Sequence, residues 1–308
     1  MSITLLRGPC EGRVRCDGRA RDMADDSMSD FTRGTFAHGG ASYRVLRSGT
    51  GPAVIVMAEI PGITPKVLAF ARRVRDLGLT VVLPDLFGTA GRDPDPAAHG
   101  WTGTVSYGVR AMAPLCVRRE FTKLATGKTS PVVTWLRALA AHEHAECGGP
   151  GVGAVGMCFT GGFALAMAAD DRLLAAVLSQ PSMPLPVTRA RRRTIDIAPA
   201  DLAAVKRRGA DDLRVIGLRF RGDRLVPGER FDFLRRQLGD AFVAVELDDS
   251  AANPDALLRP HSVLTEHLID EPGQPTRDAL DQVLELLRSR LLQPEEDGPS
   301  AEEPAQVP

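Results

Sequence analysis

Disulfides, metal-binding spacings, membrane spans and a dominant charge are all missing from this chain of 308 residues. Cysteine is scarce: Cys10, Cys16, Cys116, Cys147 and Cys158 are five, an odd number without metal-site spacing. That argues against a disulfide framework and for a reducing cytoplasm. No apolar run is long enough to cross a bilayer, and the run near the N-terminus is too short for a signal peptide. Charge of neither sign prevails. With 38 basic and 39 acidic residues the net charge is −1, which gives no general reason to expect nucleic acid or an anionic membrane as partner.

Two further classes are excluded by what the motifs lack. His142 and His144 in "HEHAEC" are two residues apart near a helix end, point in different directions and do not share one ion easily. The glycines of "GTGP" and "GTAGR" have no phosphate-loop lysine, so no nucleotide site is expected. The expectation is a protein without metal or other cofactor.

What is present is enough apolar residue, 44%, for a substantial core. Residues 1–34 read as a disordered extension in which Met23 and Met28 are alternative starts, and 293–308 as a disordered acidic, proline-rich tail. Between them, over 35–292, short apolar runs recur at 53–60, 80–85, 151–157, 173–180, 214–220 and 242–247. Continuous apolar character over a few residues suits strands buried on both faces. Helical patterns alternate with them: Val67, Phe70, Val74 and Leu77 form one stripe, and Leu280, Val283, Leu284, Leu287 and Leu291 another. The fold class is therefore α/β, a mostly parallel sheet with helices on both faces. Two stretches fit less well: Arg92 to Thr129 reads as an insertion near the C-terminal edge of the sheet. The basic cluster Arg189, Arg191, Arg192 and Arg193 reads as a solvated loop or as an anion- or partner-binding patch.

In "GVGAVGMCFTGG" one cysteine, Cys158, stands where a strand becomes a helix, a place usually given to a capping Ser, Asp or Asn. A thiol caps poorly but attacks well. Small residues around a sharp strand-to-helix turn let a nucleophile stand clear of the sheet, and Gly156 and Gly161 supply the room. Asp223 follows the apolar run 214–220, and His261 follows the run 242–247. Nucleophile, acid, histidine is the chain order of the α/β-hydrolase triad. His267 is a weaker rival for the histidine, because it lies deeper in the segment.

These motifs, "AEIPG" at 58–62, "LPDLFG" at 83–88, "GMCFTGG", "GDRLVP" and "HS", together resemble the dienelactone hydrolase family over roughly Phe36 to Leu292. The resemblance implies an α/β-hydrolase fold and a small ester or lactone substrate cleaved through a cysteinyl thioester. It implies Cys158 as nucleophile, His261 as base and Asp223 as its orienter. The backbone N–H groups of Ile60 and Phe159 would form the oxyanion hole. Glu59 would be an extra carboxylate beside the thiol, keeping it protonated until substrate arrives. Thr160 stands where the family pattern has glycine. The arginines that anchor a substrate carboxylate in the family are replaced by Thr89 and Thr265, leaving Arg92 and Thr265 as substrate-binding candidates. Monomer and homodimer stay open. So do a thioesterase or acyltransferase with the same residues, and a ligand-binding or redox-responsive module in which Cys158 is modified without turnover.

Overall fold

A computed structural model describes residues 25–95, 100, 129–211 and 213–292. The six apolar runs form strands β3 (Ala53–Met57), β4 (Thr80–Pro84), β5 (Val152–Met157), β6 (Leu173–Ser179), β7 (Arg214–Phe220) and β8 (Phe242–Leu247). Two more precede them, β1 (Thr32–His38) and β2 (Ala41–Ser48). Together they make one eight-stranded sheet in the order β1-β2-β4-β3-β5-β6-β7-β8. The pairs β1·β2 and β2·β4 are antiparallel and the others parallel.

β1 carries no continuous apolar run because it is the edge strand, and β2, paired with both β1 and β4, alternates buried Tyr43 and Val45 with exposed Ser42 and Arg44. β1 is exposed along nearly its whole length, as an edge strand is when it carries Arg33 and His38. Gly39 and Gly40, both with positive φ (58° and 83°), make the tight turn between the two strands. The N-terminal boundary also moves. Phe31 and Met28 are buried in the core, Arg72 pairs with Asp26 and Asp30, and its guanidinium lies 5.4 Å from the Phe31 ring centroid. The fold thus extends upstream of residue 35, because burying Phe31 and pairing two acids with one arginine outweigh the polar composition of the segment.

The helices are α1 (Pro65–Arg75), α2 (Pro131–Cys147), α3 (Gly161–Met167), α4 (Arg189–Arg192), α5 (Pro199–Gly209), α6 (Gly228–Leu238) and α7 (Pro275–Leu291). α1 begins where Thr64 Oγ1 accepts from the Val67 N–H at 3.3 Å and proline takes the first turn. Its Val67, Phe70 and Val74 pack with Leu280, Val283 and Leu287 of α7 against one face of the sheet. Trp135 of α2, Phe163 of α3, Val205 of α5 and Phe231 of α6 cover the other face. Truncating a buried aromatic of this kind to alanine costs about 3–5 kcal/mol. Most of the expected insertion 92–129 and all of 293–308 lie outside the described residues. Among the described residues no helix is long and apolar enough to cross a membrane.

β4 and β5 flank β3 on opposite sides, so the chain reverses its direction across the sheet there. Parallel strands open a crevice at their C-terminal ends at such a point. The loops after β3, β5, β6, β7 and β8 carry Glu59, Cys158, Gln180, Asp223 and His261 to that one edge.

Candidate active site

Cys158 is the first residue after β5 and has φ +54°, a conformation that non-glycine residues rarely hold. The chain turns through Cys158–Thr160 directly into α3. Crowding at the turn is severe: a Cβ on Gly156 would come within 2.3 Å of the Thr160 carbonyl oxygen. Thr160, which stands where the family pattern has glycine, braces the turn. Its hydroxyl accepts from the Met157 N–H at 2.8 Å and faces the carbonyls of Met57 and Met157, each at 3.0 Å, so the ends of β3 and β5 are pinned together.

The Cys158 thiol lies 3.3 Å from Ser182 Oγ, and the Ser182 N–H donates to the Cys158 carbonyl at 3.0 Å. Asp223 and His261 lie together, with Nδ1 of His261 2.6 Å from Oδ2 of Asp223. The other oxygen of Asp223 accepts from the Leu225 N–H at 2.9 Å. Nε2 of His261 is buried without a well-formed hydrogen bond among the described residues. Burial alone would lower the basicity of this imidazole; Asp223 and then Cys158 outweigh it and push its pKa up to about 11. An imidazolium beside a thiol favours the thiolate.

The carboxylate of Glu59, expected beside the thiol, is held by donors from three other residues. It accepts from Gln180 Nε2 at 3.1 Å, from Ser262 Oγ at 2.6 Å and from the Thr265 hydroxyl, and Cys158 is not among its hydrogen-bond partners in the described residues. Those three donors take up the carboxylate, and the Thr265 hydroxyl donates to Glu59. Gln180, fully buried with φ +37°, completes the network by accepting from the Val263 N–H at 3.3 Å. The loop bearing Glu59 and Ile60 is thereby tied to the loop bearing His261. His267 braces the same loop: Nδ1 accepts from the Ser262 N–H and Nε2 donates to the Leu258 carbonyl, which leaves it no free ring nitrogen.

Ile60 follows Glu59 directly. No described residue accepts from its N–H. Phe159, next to Cys158, packs edge-on against Phe87 and Phe163. Arg92 lies partly buried on the loop after β4. Among the described residues no group of His, Cys, Asp and Glu is placed to hold a metal ion, and His142 instead stacks on Phe36.

A thiol on a strained strand-to-helix turn, with an Asp-held histidine from two later loops, is the arrangement of a hydrolase elbow. A family model described as the dienelactone hydrolase family matches residues 41–198. The chain belongs to the dienelactone hydrolase family. As a member it falls among ester- and lactone-cleaving hydrolases. The dienelactone hydrolase of Anabaena variabilis is 17% identical over 85% of this chain and 98% of its own, with a TM-score of 0.53. A dienelactone hydrolase-like promiscuous phosphotriesterase from metagenomic libraries is 18% identical with the same coverage and a TM-score of 0.54. At these identities the two share the fold with this chain. A search of curated proteins finds no match.

Sequence reasoning missed Ser182, Gln180 and Arg230. The first two had a signal: they are polar residues just past an apolar run, on the same sheet edge as Cys158. Arg230 had none, since one charged residue in an amphipathic helix is unremarkable. Its fully buried guanidinium donates to the carbonyls of Pro181 (2.6 Å), Pro184 (2.5 Å), Thr194 (2.8 Å) and Leu225 (3.3 Å), fastening the loop after β6 to the loop after β7. Burial lowers its pKa to about 10, with Asp223 and Asp196 opposing.

Proposed function

We propose that the protein hydrolyses a small ester or lactone through a thioester on Cys158. The observation that carries this reading is the Asp223–His261 contact of 2.6 Å at the same sheet edge as a thiol held on a positive-φ turn. Cys158, as thiolate, attacks the carbonyl carbon, and the carbonyl oxygen becomes an oxyanion between the N–H groups of Ile60 and Phe159. Each such donor is worth on the order of 10²–10³ in rate. His261, protonated and oriented by Asp223, gives its proton to the departing alkoxide. Water then attacks the thioester, His261 takes the proton from that water, and the acid leaves as Cys158 is released.

Asp223 contributes by keeping the imidazole in one orientation and by stabilising its positive charge. Glu59 acts in this reading through position, holding the Ile60 donor and the His261 loop in register. Arg92 is a substrate contact on the loop after β4.

Cys158→Ala should abolish turnover of p-nitrophenyl acetate, a drop of at least 10³ in kcat, while Cys147→Ala, whose sulfur meets Arg47 at 3.0 Å, keeps it. Wild-type turnover by Cys158→Ala overturns the covalent reading. Stoichiometric acylation of Cys158 without turnover would make the protein a modified binding module instead.

A further inference from the structure

Among the described residues six large apolar side chains are exposed, and five of them lie on the loops that also carry Asp223, His261 and Ser182. Leu185 and Val187 are on the loop after β6, Leu225 on the loop after β7, and Leu257 and Leu258 on the loop after β8, with exposures from 43% to 77%. Single exposed leucines need no explanation, but a group confined to the rim of one crevice does. These loops are neighbours in fact as well as in topology. Arg230 bonds the carbonyls of both Pro184 and Leu225, Asp223 of the second loop holds His261 of the third, and His267 holds the Leu258 carbonyl.

Each loop also carries exposed arginine: Arg189 and Arg191 on the first, Arg224 on the second and Arg259 on the third. None of these four has an ion-pair partner among the described residues. Among the acids of these loops Asp223 meets His261 and Glu229 pairs with Arg192. The first two loops are apolar and basic together, while the third adds Leu257, Leu258 and Arg259 beside the exposed acids Asp248, Asp249 and Asp255.

Resting on the hydrolase reading, we propose that the substrate is an anionic amphiphile: an ester whose apolar chain lies on Leu185, Val187, Leu225, Leu257 and Leu258 and whose anionic group meets Arg224, Arg259 and the arginines of α4. Guanidinium groups suit phosphate and carboxylate oxygens, and apolar surface away from the reacting carbonyl supplies binding that improves positioning there. The same chemistry is offered by a dissolved amphiphile and by an anionic lipid surface, for which mixed basic and apolar surface is the usual attachment.

The test uses the full chain and two readouts. In turnover, kcat/KM should rise at least tenfold from p-nitrophenyl acetate to the decanoate. It should also be at least threefold higher for mono-p-nitrophenyl sebacate than for its methyl ester at low salt, with that preference lost in 0.5 M NaCl. Leu257→Ser with Leu258→Ser should lower the decanoate-to-acetate ratio at least fivefold, and Arg224→Gln with Arg259→Gln should erase the sebacate preference. In binding, decyl phosphate below its micellar concentration and vesicles of phosphatidylcholine with or without phosphatidylglycerol are compared. Binding of decyl phosphate supports the proposal, and binding of the anionic vesicles alone overturns it in favour of attachment to a lipid surface. Acetate turnover with no effect of chain length or end charge, and no binding of either probe, overturns the proposal and leaves the hydrolase reading standing. Rim-dependent binding with no ester turned over supports the rim and defeats the hydrolase reading.

Discussion

The sulfur of Cys158 and the hydroxyl of Ser182 are 3.3 Å apart, joined as well by a backbone hydrogen bond of 3.0 Å between the same two residues. The backbone bond survives truncation of the side chain, so the hydroxyl can be tested alone. A hydroxyl donating to a thiolate stabilises it by about 1.5–2 kcal/mol, the lower part of the range for hydrogen bonds to charged groups. Ser182→Ala should therefore slow alkylation of Cys158 by iodoacetamide at pH 7 and lower kcat/KM for p-nitrophenyl acetate about tenfold. Equal alkylation rates would show that the hydroxyl does not act on the thiolate.

For Glu59, three donors on one carboxylate predict a mainly positional role. Glu59→Gln keeps the shape but turns an amide nitrogen toward hydroxyl or amide donors, which costs about 1–3 kcal/mol. Denaturant unfolding should show that loss, and turnover should fall. Iodoacetamide should still react with the free enzyme at the wild-type rate. Faster alkylation would mean that the charge of Glu59 restrains the thiol after all.

His261 gives a pH dependence of defined sign. Its pKa is raised to about 11 from an ordinary value near 6.5, so the stability it contributes is present in full below pH 6.5 and is lost as pH climbs through about 11. Thermal unfolding of the wild type and of His261→Gln should therefore converge as pH rises from 6 to 10. A gap between them that widens over that range contradicts the protonated imidazole.

Asp196 is the opposite case, a carboxyl whose buried Oδ2 has no hydrogen-bond partner among the described residues. Burial raises its pKa to about 6, with Arg230 opposing. The stability linked to its proton is present below the unfolded value near 3.8 and is lost as pH rises through about 6. Asp196→Asn should stabilise the protein at pH 7.5 by about 1–3 kcal/mol, and the gain should fade below pH 4. A destabilised variant at pH 7.5 would show that the carboxylate charge serves Arg230 more than burial opposes it.

Sequence alone determined the sheet's core and the order of its chemistry. β3 to β7 are continuous apolar runs because both their faces are covered, and that pattern needs no partner to be read. The positions of Cys158 and Asp223 follow from the same pattern, since each stands just beyond the end of a strand, and His261 lies in the segment after the last one. Tertiary structure decided what composition cannot carry. The edge strand β1 buries little, so its residues carry no apolar signal, and Phe31 joins the core only because Arg72 and α1 come to meet it. The role of Glu59 depends on Gln180, Ser262 and Thr265, which lie more than a hundred residues away in the chain and converge only when the loops after β3, β6 and β8 share one edge. That the Thr160 hydroxyl joins β5 to β3 also depends on the fold, which brings the distant Met57 carbonyl to it. The balance of 38 basic against 39 acidic residues likewise hid a rim where exposed arginine and leucine gather, because a sum over the chain carries no positions and folding supplies them.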